Sequence, residues 1–497
     1  MSPFQNSLLT GFAPGYVEIF LGFCLLVLLL IGSVKGDKCL RLLSYLSLVI
    51  LGIAILVIGL SEGQTEVAFH GLFVRNSFTR FCKIIVLVTT AIVLIMTIKP
   101  LERDNIGRFE YPILLLLCTL GMMIMISSND LIAMYLGLEL QSLALYILVG
   151  FKRDAPTISE GSVKYFILGA LASAFILYGS SFLYGLTGTT EWDSLFVILQ
   201  NNDFSQSYVL NFGFILVLSG LVFKLALVPF HMWAPDVYQS SPTPVTALIA
   251  TAPKVAMFAL LMRLFSEAPV NLIESSQVFV VLLIWLSLTI GSFGALFQTN
   301  IKRLLGYSAI SHMSYAFMGI LSRTSSGYDN ILIYLIVYMI TTLGIFVILL
   351  NLKKNGKFVE TIHDFLNLSR EHPLMAAAMT VFLFSLAGIP PLGGFFAKLG
   401  IFNTALEQGY YNLVVYAVLM SVVSAGYYLK IIKTMYFDNI PTPVVSSALE
   451  AKNSFENTLF RENYGVMLAS AFILLAYSFI HRWLIDWTQE ATFILFS

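Results

Sequence analysis

Charge is what this 497-residue sequence has least of: Asp, Glu, Lys and Arg together make up 11% of it, less than half the roughly 25% of an average soluble domain. Water is therefore not its main solvent. The 28 basic residues balance 28 acidic ones, so neither nucleic acid nor an anionic surface meets a field that would attract the whole chain. Cysteine is scarce too. Cys24, Cys39, Cys82 and Cys118 form no C-x-x-C pair, which excludes the usual iron–sulfur, zinc and disulfide spacings, and they read as small apolar fillers. Neither G-x-G-x-x-G nor a P-loop occurs, so no dinucleotide or nucleoside triphosphate has a recognisable cradle. The first basic residue is Lys35. The first apolar run thus lacks the charged n-region of a cleaved signal and reads as a retained helix.

What is abundant is apolar length. Hydrophobic residues make up 58% of the chain and the mean hydropathy is +0.85. Runs of roughly 17 to 25 apolar residues match a hydrocarbon core, where lipid tolerates only helices or closed barrels. Those lengths exceed a barrel strand, so the expected fold is an all-α polytopic membrane protein. Fourteen spans are predicted, near 15–33, 40–60, 81–98, 112–127, 129–151, 162–186, 209–239, 243–266, 277–297, 303–322, 329–352, 373–406, 411–436 and 463–485. With both ends outward, eighteen basic residues fall on the inside, among them Lys35, Arg41, Arg153 and Lys452. Six fall on the outside, Arg75, Arg80, Lys83, Arg263, Arg323 and Arg482, a bias of the kind the positive-inside rule describes. Four of the 28 remain within spans: Lys164, Lys224, Lys254 and Lys398. The stretch 437–462, with Pro441 and Pro443, reads as a polar inside connection.

Span seven carries Phe223-Lys224-Leu225-Ala226-Leu227-Val228-Pro229 and span twelve Phe384-Ser385-Leu386-Ala387-Gly388-Ile389-Pro390, alike at Phe, Leu, Ala and Pro. The echo suggests duplicated halves. Proline lacks an amide hydrogen and its ring clashes with the carbonyl four residues back, so Pro229 and the Pro390-Pro391 pair are predicted to break both helices at membrane depth. Paired interruptions expose peptide dipoles to water and ions and point to a transport site. The alternative is two ordinary proline kinks.

An amine at the bilayer centre costs at least about 2.5 kcal/mol on insertion scales. Four in one chain call for a function, against the alternatives of snorkelling to the headgroups or static ion pairing. Glu139 lies mid-span in Tyr135-Leu136-Gly137-Leu138-Glu139-Leu140-Gln141-Ser142. Lys164, on the next helix, is its expected partner, since opposite charges about 4 Å apart are worth around 4 kcal/mol at an effective dielectric of about 20. A carboxylate that approaches or leaves a buried amine changes that amine's proton affinity, so this pair is expected to act as a switch on Lys224. Pro253 should loosen span eight beside Lys254 and leave room for water, which makes Lys254 a central relay. Histidine suits a relay because it titrates near neutrality. His231, just past the first break, and His312, in the middle of span ten, join the candidates, each with the alternative of a hydrogen-bonded core histidine. Asp236 reads as a helix-end or loop contact.

The segment Phe230-His231-Met232-Trp233-Ala234-Pro235-Asp236-Val237-Tyr238-Gln239-Ser240-Ser241-Pro242-Thr243-Pro244-Val245-Thr246-Ala247, followed by Ala252-Pro253-Lys254, resembles the signature of the proton-conducting antiporter family. It looks most like the antiporter-like membrane subunits of respiratory complex I, the NADH:ubiquinone oxidoreductase. Leu131-Ile132-Ala133-Met134-Tyr135-Leu136, Arg303-Leu304-Leu305-Gly306-Tyr307-Ser308 and Ala387-Gly388-Ile389-Pro390-Pro391 also resemble family motifs, and the likeness runs over essentially the whole chain. The resemblance implies fourteen helices with two inverted five-helix repeats and broken helices seven and twelve. It divides the chain into three N-terminal helices (1–111), helices four to eight (112–267), helices nine to thirteen (268–436), and an inside loop with helix fourteen (437–497). It also implies a glutamate on helix five, lysines on helices six, seven and eight, and a terminal lysine on helix twelve, positions held here by Glu139, Lys164, Lys224, Lys254 and Lys398. Gln239-Ser240-Ser241 departs from relatives, which often have an acidic residue and a glycine before Pro-Thr-Pro; this loop variation leaves the relay assignment intact.

Moving one proton against roughly 150 mV costs about 3.5 kcal/mol, and the sequence shows no cofactor to supply it. The resemblance implies that NADH, FMN, iron–sulfur clusters and ubiquinone belong to partner subunits and that this chain binds none of them. It would translocate protons through Glu139, Lys164, Lys224, Lys254, Lys398, His231 and His312. The expected partners are other membrane-arm subunits, including further antiporter-like ones, and lipids, but not nucleic acid. Rival readings are a multisubunit cation/proton antiporter subunit, a membrane subunit of a hydrogenase-linked complex and a non-pumping scaffold. Phe- and Ile-rich composition resembles organellar versions and favours the mitochondrial inner membrane, with the bacterial cytoplasmic membrane as alternative.

Overall fold

The structure is a computed structural model that describes residues 13–61, 65–103, 107–152, 156–201, 208–354, 356–438, 455–457 and 460–496. Arg153, Pro441, Pro443 and Lys452 lie outside the described residues.

Apolar runs become helices because only there can every backbone group be satisfied without water. α1 (Tyr16–Lys35) and α2 (Leu40–Leu60) flank the 3-10 turn Gly36–Cys39, followed by α3 (Ser77–Arg103), α4 (Glu110–Ser127), α5 (Leu131–Val149) and α6 (Pro156–Thr187). Then come α7a (Tyr208–Leu225), α7b (Trp233–Ser240), α8a (Thr243–Ala250), α8b (Ala252–Glu267), α9 (Val270–Leu296), α10 (Ile301–Ile320) and α11 (Ser325–Asn351). The chain continues through α12a (Pro373–Ala387), α12b (Gly393–Glu407), α13 (Tyr411–Tyr436), α14a (Arg461–Leu475) and α14b (Tyr477–Thr492). Each stretch expected from hydropathy thus coincides with one helix or with two across a short break. By length and apolarity, ten helices among the described residues can cross a membrane, or eleven with the bent α14 pair, when Tyr16–Leu60 is counted as one. The chain is an all-α polytopic membrane protein.

The α8 segment forms the axis of the bundle, buried at every residue from Pro244 to Phe265. At the periphery, Phe23, Leu26 and Leu30 of α1 and Leu56 of α2 are exposed, an apolar outer surface that suits lipid. α4 and α5 cross where a side chain on Gly121 would strike the backbone of Gly137 and Gln141. Such close approach is the usual reason for small residues between membrane helices, and here it fixes the face of α5 that carries Glu139.

Helices seven and twelve are both interrupted, and the interruptions are built alike. At the end of α7a, Ala226 takes a φ of 61° and the Leu227 N–H donates to the Val222 carbonyl at 3.2 Å. At the end of α12a, Gly388 takes a φ of 82° and the Ile389 N–H donates to the Phe384 carbonyl at 3.0 Å. This left-handed ending returns an amide to an orphan carbonyl, the Schellman pattern. The equivalence pairs Ala226 with Gly388, one residue out of register with the letter echo, which pairs it with Ala387. Within α8 the chain departs from helical geometry at Thr251 (φ −124°, ψ −89°), two residues before Pro253, so the expected loosening lies beside Lys254.

The last predicted span, 463–485, is not one helix. α14a ends at Leu475, and α14b turns away by 86°. The reason is in the sequence: His481, Arg482, Asp486, Gln489 and Glu490 would be buried in lipid if α14a continued straight, whereas an amphipathic helix lying across the bundle keeps them wet.

Candidate functional site

Lys224 ends α7a, one residue before the helix stops, and is buried. Its ammonium donates to Ser142 Oγ at 2.7 Å and to Tyr146 Oη at 3.1 Å, and it lies 5.4 Å from the centre of the Tyr146 ring. Both acceptors come from α5. Glu139, Ser142 and Tyr146 are spaced three and four residues apart, which places them on one helix face. Glu139 in turn accepts a hydrogen bond from Ser173 of α6. The carboxylate therefore sits one turn along α5 from the hydroxyl that holds Lys224.

The expected Glu139–Lys164 pair is not formed. Lys164 lies nine residues before Ser173, about 13 Å along α6 at 1.5 Å per residue, and its side chain is 44% exposed. It pairs with Glu160 at 2.7 Å and Asp236 at 3.0 Å. Asp236, read from sequence as a helix-end or loop contact, does lie in the first turn of α7b and is also a hub: its second oxygen receives Arg303 at 2.6 Å. These groups line a cavity of about 640 Å³ together with Lys302 and Glu360. On the orientation given by the basic residues, this is a polar vestibule at the inner side.

Lys254 begins α8b, buried to 3% exposure. Its ammonium donates to Tyr338 Oη at 3.4 Å and faces the rings of Tyr338 and Tyr238 at 5.3 and 5.7 Å. Next in line is His312 of α10. Nδ1 lies 2.7 Å from Tyr334 Oη and Nε2 3.0 Å from Tyr428 Oη, and the imidazole packs against Tyr338 at 5.3 Å and Tyr315 at 6.1 Å between ring centres. Lys398 of α12b completes the series. Its ammonium lies 5.0 Å from the centre of the Tyr315 ring and donates to the carbonyls of Leu386 and Ala387 at 2.9 and 3.2 Å and to Ser421 Oγ at 3.0 Å. Those carbonyls are the orphans of the broken α12a, the negative end of a helix dipole.

The result is a row of titratable and hydroxyl groups, Lys254, Tyr338, His312, Tyr315 and Lys398, crossing four helices. Toward Lys224, Tyr146 meets Tyr165 edge-on at 4.7 Å, and Tyr165 stacks on Trp233 of α7b at 4.6 Å. Among the described residues, the acceptors recorded for Lys224, Lys254 and Lys398 are hydroxyls and carbonyls, and no carboxylate lies within ion-pair distance of them. A neutral hydroxyl can donate or accept, so the lysines are not locked in one charge state by an opposite charge. Other buried cations are: Lys83 meets Glu18 at 2.6 Å, and Arg263 donates to the Ser128 carbonyl at 2.7 Å and meets Glu267 at 3.4 Å.

His231 stands apart. It is half-buried in the break of helix seven, its Nδ1 has no hydrogen-bond partner, and no hydrogen bond among the described residues ties it to the row. The tyrosines and serines that link the lysines were not singled out from sequence. With 23 tyrosines in the chain, the one available signal was the i, i+4 pair Tyr334 and Tyr338.

Residues 128–424 match the family described as NADH:quinone oxidoreductase/Mrp antiporter, TM. Proteins named NADH-quinone oxidoreductase subunit N are similar over nearly the whole chain. That of Paramagnetospirillum magneticum is 42% identical, covering 97% of this chain and 98% of the relative, and that of Rhodospirillum rubrum is 44% identical, covering 88% and 90%. Among solved structures, a chain of respiratory complex I from Thermus thermophilus with bound aureothin is similar with a TM-score of 0.78 at 29% identity, covering 95% of this chain and 98% of that one. A chain of the Mrp complex from Dietzia sp. DQ12-45-1b has a TM-score of 0.83 at 22% identity, with 98% of each chain covered, a likeness of fold alone.

Proposed function

Because the chain belongs to the NADH:quinone oxidoreductase/Mrp antiporter membrane-subunit family, we propose that it is the subunit N (subunit 2) type component of a respiratory complex I and moves protons across the membrane. The observation that carries this reading is the row itself, two buried lysines, Lys254 and Lys398, held by neutral partners with tyrosines and a histidine between them, and a third buried lysine, Lys224, held in the same way by Ser142 and Tyr146. A proton can pass along such groups by exchange of hydrogen bonds, and the helix breaks beside Lys224, Lys254 and Lys398 leave space for water.

The path runs from Lys224 through Lys254 and His312 to Lys398. Glu139 biases Lys224 from one turn away, and Lys164, with Asp236 and Arg303, serves the inner vestibule rather than the row. His231 has no part in it. The fourteen helices are fourteen crossings, arranged as inverted repeats over 112–267 and 268–436. NADH, FMN, iron–sulfur clusters and ubiquinone are bound by partner subunits, and the neighbours in the membrane arm include further antiporter-like subunits. The relatives described above are bacterial, which fits a bacterial cytoplasmic membrane better than the mitochondrial inner membrane expected from composition. Either is an energy-coupling membrane.

Lys224→Ala in the assembled complex tests the reading: pumping is expected to fall while NADH–quinone electron transfer persists with an uncoupler. Undiminished pumping would instead support a scaffold that inherits buried charges. The fold shared with the Mrp chain favours a second reading, cation/proton exchange, and sodium-dependent proton movement in liposomes by the purified complex would establish it.

A further inference from the structure

Away from the lysine row, an apolar groove of about 660 Å³ runs between α3, α11, the end of α14a and α14b. We propose that it holds a phospholipid of the outer leaflet, with the phosphate on Arg80 and an acyl chain along α3.

Depth supports an acyl chain. Ser77, Phe81, Ile84, Ile85 and Val88 line the groove along one face of α3. They span twelve residues, eleven steps that cover about 16 Å of helix, or half of a hydrocarbon core about 30 Å thick. The opposite wall is Ile336, Val337, Met339 and Ile340 of α11. The roof is α14b, which follows a fifteen-residue α14a and crosses at 86° to it. On α14b, Trp483 and Trp487 lie with ring centres 3.6 Å apart and are both exposed, as expected for aromatic side chains at a headgroup boundary.

Charge selects the headgroup. Arg80 stands at the outer end of the groove, and its guanidinium is nearly unsatisfied: Nε is buried without a hydrogen-bond partner, and Nη2 reaches only the Gly59 carbonyl at 3.5 Å. Glu18 shares a small adjoining cavity with Arg80 and forms its ion pair with Lys83, at 2.6 Å, and none with Arg80 among the described residues. A guanidinium whose planar fork lacks partners matches a phosphodiester. Glu490, exposed on α14b, lines the same groove and suits the ammonium of an aminoalkyl headgroup. Phosphatidylethanolamine satisfies both charges; phosphatidylglycerol satisfies one and meets the other with a hydroxyl.

The test uses the intact complex, delipidated in detergent, supplied with bicelles of phosphatidylethanolamine or phosphatidylglycerol, and examined by native mass spectrometry. Wild type should retain phosphatidylethanolamine preferentially. Arg80→Gln should weaken retention about tenfold, as expected for one charge-assisted hydrogen bond. Ile84→Trp, which fills the groove without changing its charged rim, should abolish retention at this site, and Glu490→Gln should erase the headgroup preference. Equal retention by wild type, Arg80→Gln and Ile84→Trp would overturn the proposal. So would a photo-crosslinker at Val337 that labels a neighbouring polypeptide instead of lipid, because a protein segment would then fill the groove.

Discussion

Lys254 and Lys398 lie on either side of His312, each facing a tyrosine ring that also packs on the imidazole: Tyr338 for Lys254 and Tyr315 for Lys398. The histidine stands between the two amines, and its two ring nitrogens, at Tyr334 and Tyr428, let it accept a proton on one side and release one on the other. A purely structural histidine needs only its two tyrosine hydrogen bonds; the rings it shares with both amines go beyond that need.

His312→Gln keeps a side chain able to hydrogen-bond but not to titrate. If His312 relays protons, pumping by the assembled complex should drop by about 100-fold through this chain, the low end of the loss on removing a general acid–base group, with little change in complex abundance. His312→Phe leaves the Tyr334 hydroxyl unpaired, whereas Tyr428 keeps its bond with Ser308, and should also lower stability by about 1–3 kcal/mol. Blue-native gels and proton uptake by reconstituted vesicles distinguish the two effects.

Removing a buried lysine should have opposite structural consequences at two places. Lys83→Met strands the Glu18 carboxylate, and breaking a buried pair costs about 3–5 kcal/mol, so assembly or melting temperature should suffer. Lys254→Met strands no carboxylate among the described residues and should leave stability unchanged or improved. Thermal melts of the two variants in the same detergent check this; equal losses would show Lys254 to be a structural charge.

The Asp236 hub lies at the vestibule, with Asp236 25% and Arg303 34% exposed. Partly exposed pairs contribute little to stability, about 0–1 kcal/mol, and weaken with salt. Asp236→Asn should therefore leave folding intact while altering the salt dependence of proton uptake from the inner side. Initial pumping rates at low and high ionic strength provide the measurement.

The two helix breaks offer a matched pair of substitutions. Gly388 holds a positive φ that suits glycine, and a Cβ there would press on the Lys398 side chain; Gly388→Ala should cost about 1–2 kcal/mol and disturb Lys398. Ala226 already bears a side chain at the equivalent positive φ, so Ala226→Gly should stabilise the fold by up to about 1 kcal/mol. Melting temperatures of the two variants should shift in opposite directions.

Helices were legible because hydropathy is set by lipid, a solvent that acts on each segment separately. The breaks at Pro229 and Pro390 and the loosening beside Pro253 were legible for the same local reason, the missing amide. Relations between helices were not. Glu139 and Lys164 are neighbours in helix order, yet Glu139 stands level with Ser173 of α6, nine residues beyond Lys164, and that offset follows from how the helices pack. The helix-end position of Asp236 was legible, but its partners, Lys164 and Arg303, were not, because they come from helices distant in sequence. Tyr146 and Tyr315 carry no motif at all; what sets them beside the lysines is position alone. The bend at Ala476 was legible in hindsight from the charges of α14b, which an averaged apolar run conceals.

The central claim is that protons cross through the buried amines. The most direct measurement is the proton-to-electron ratio of the complex carrying Lys254→Met, reconstituted in sealed vesicles with electron transfer monitored in parallel. The account predicts a lower ratio at unimpaired uncoupled electron transfer. A ratio equal to that of wild type would contradict it.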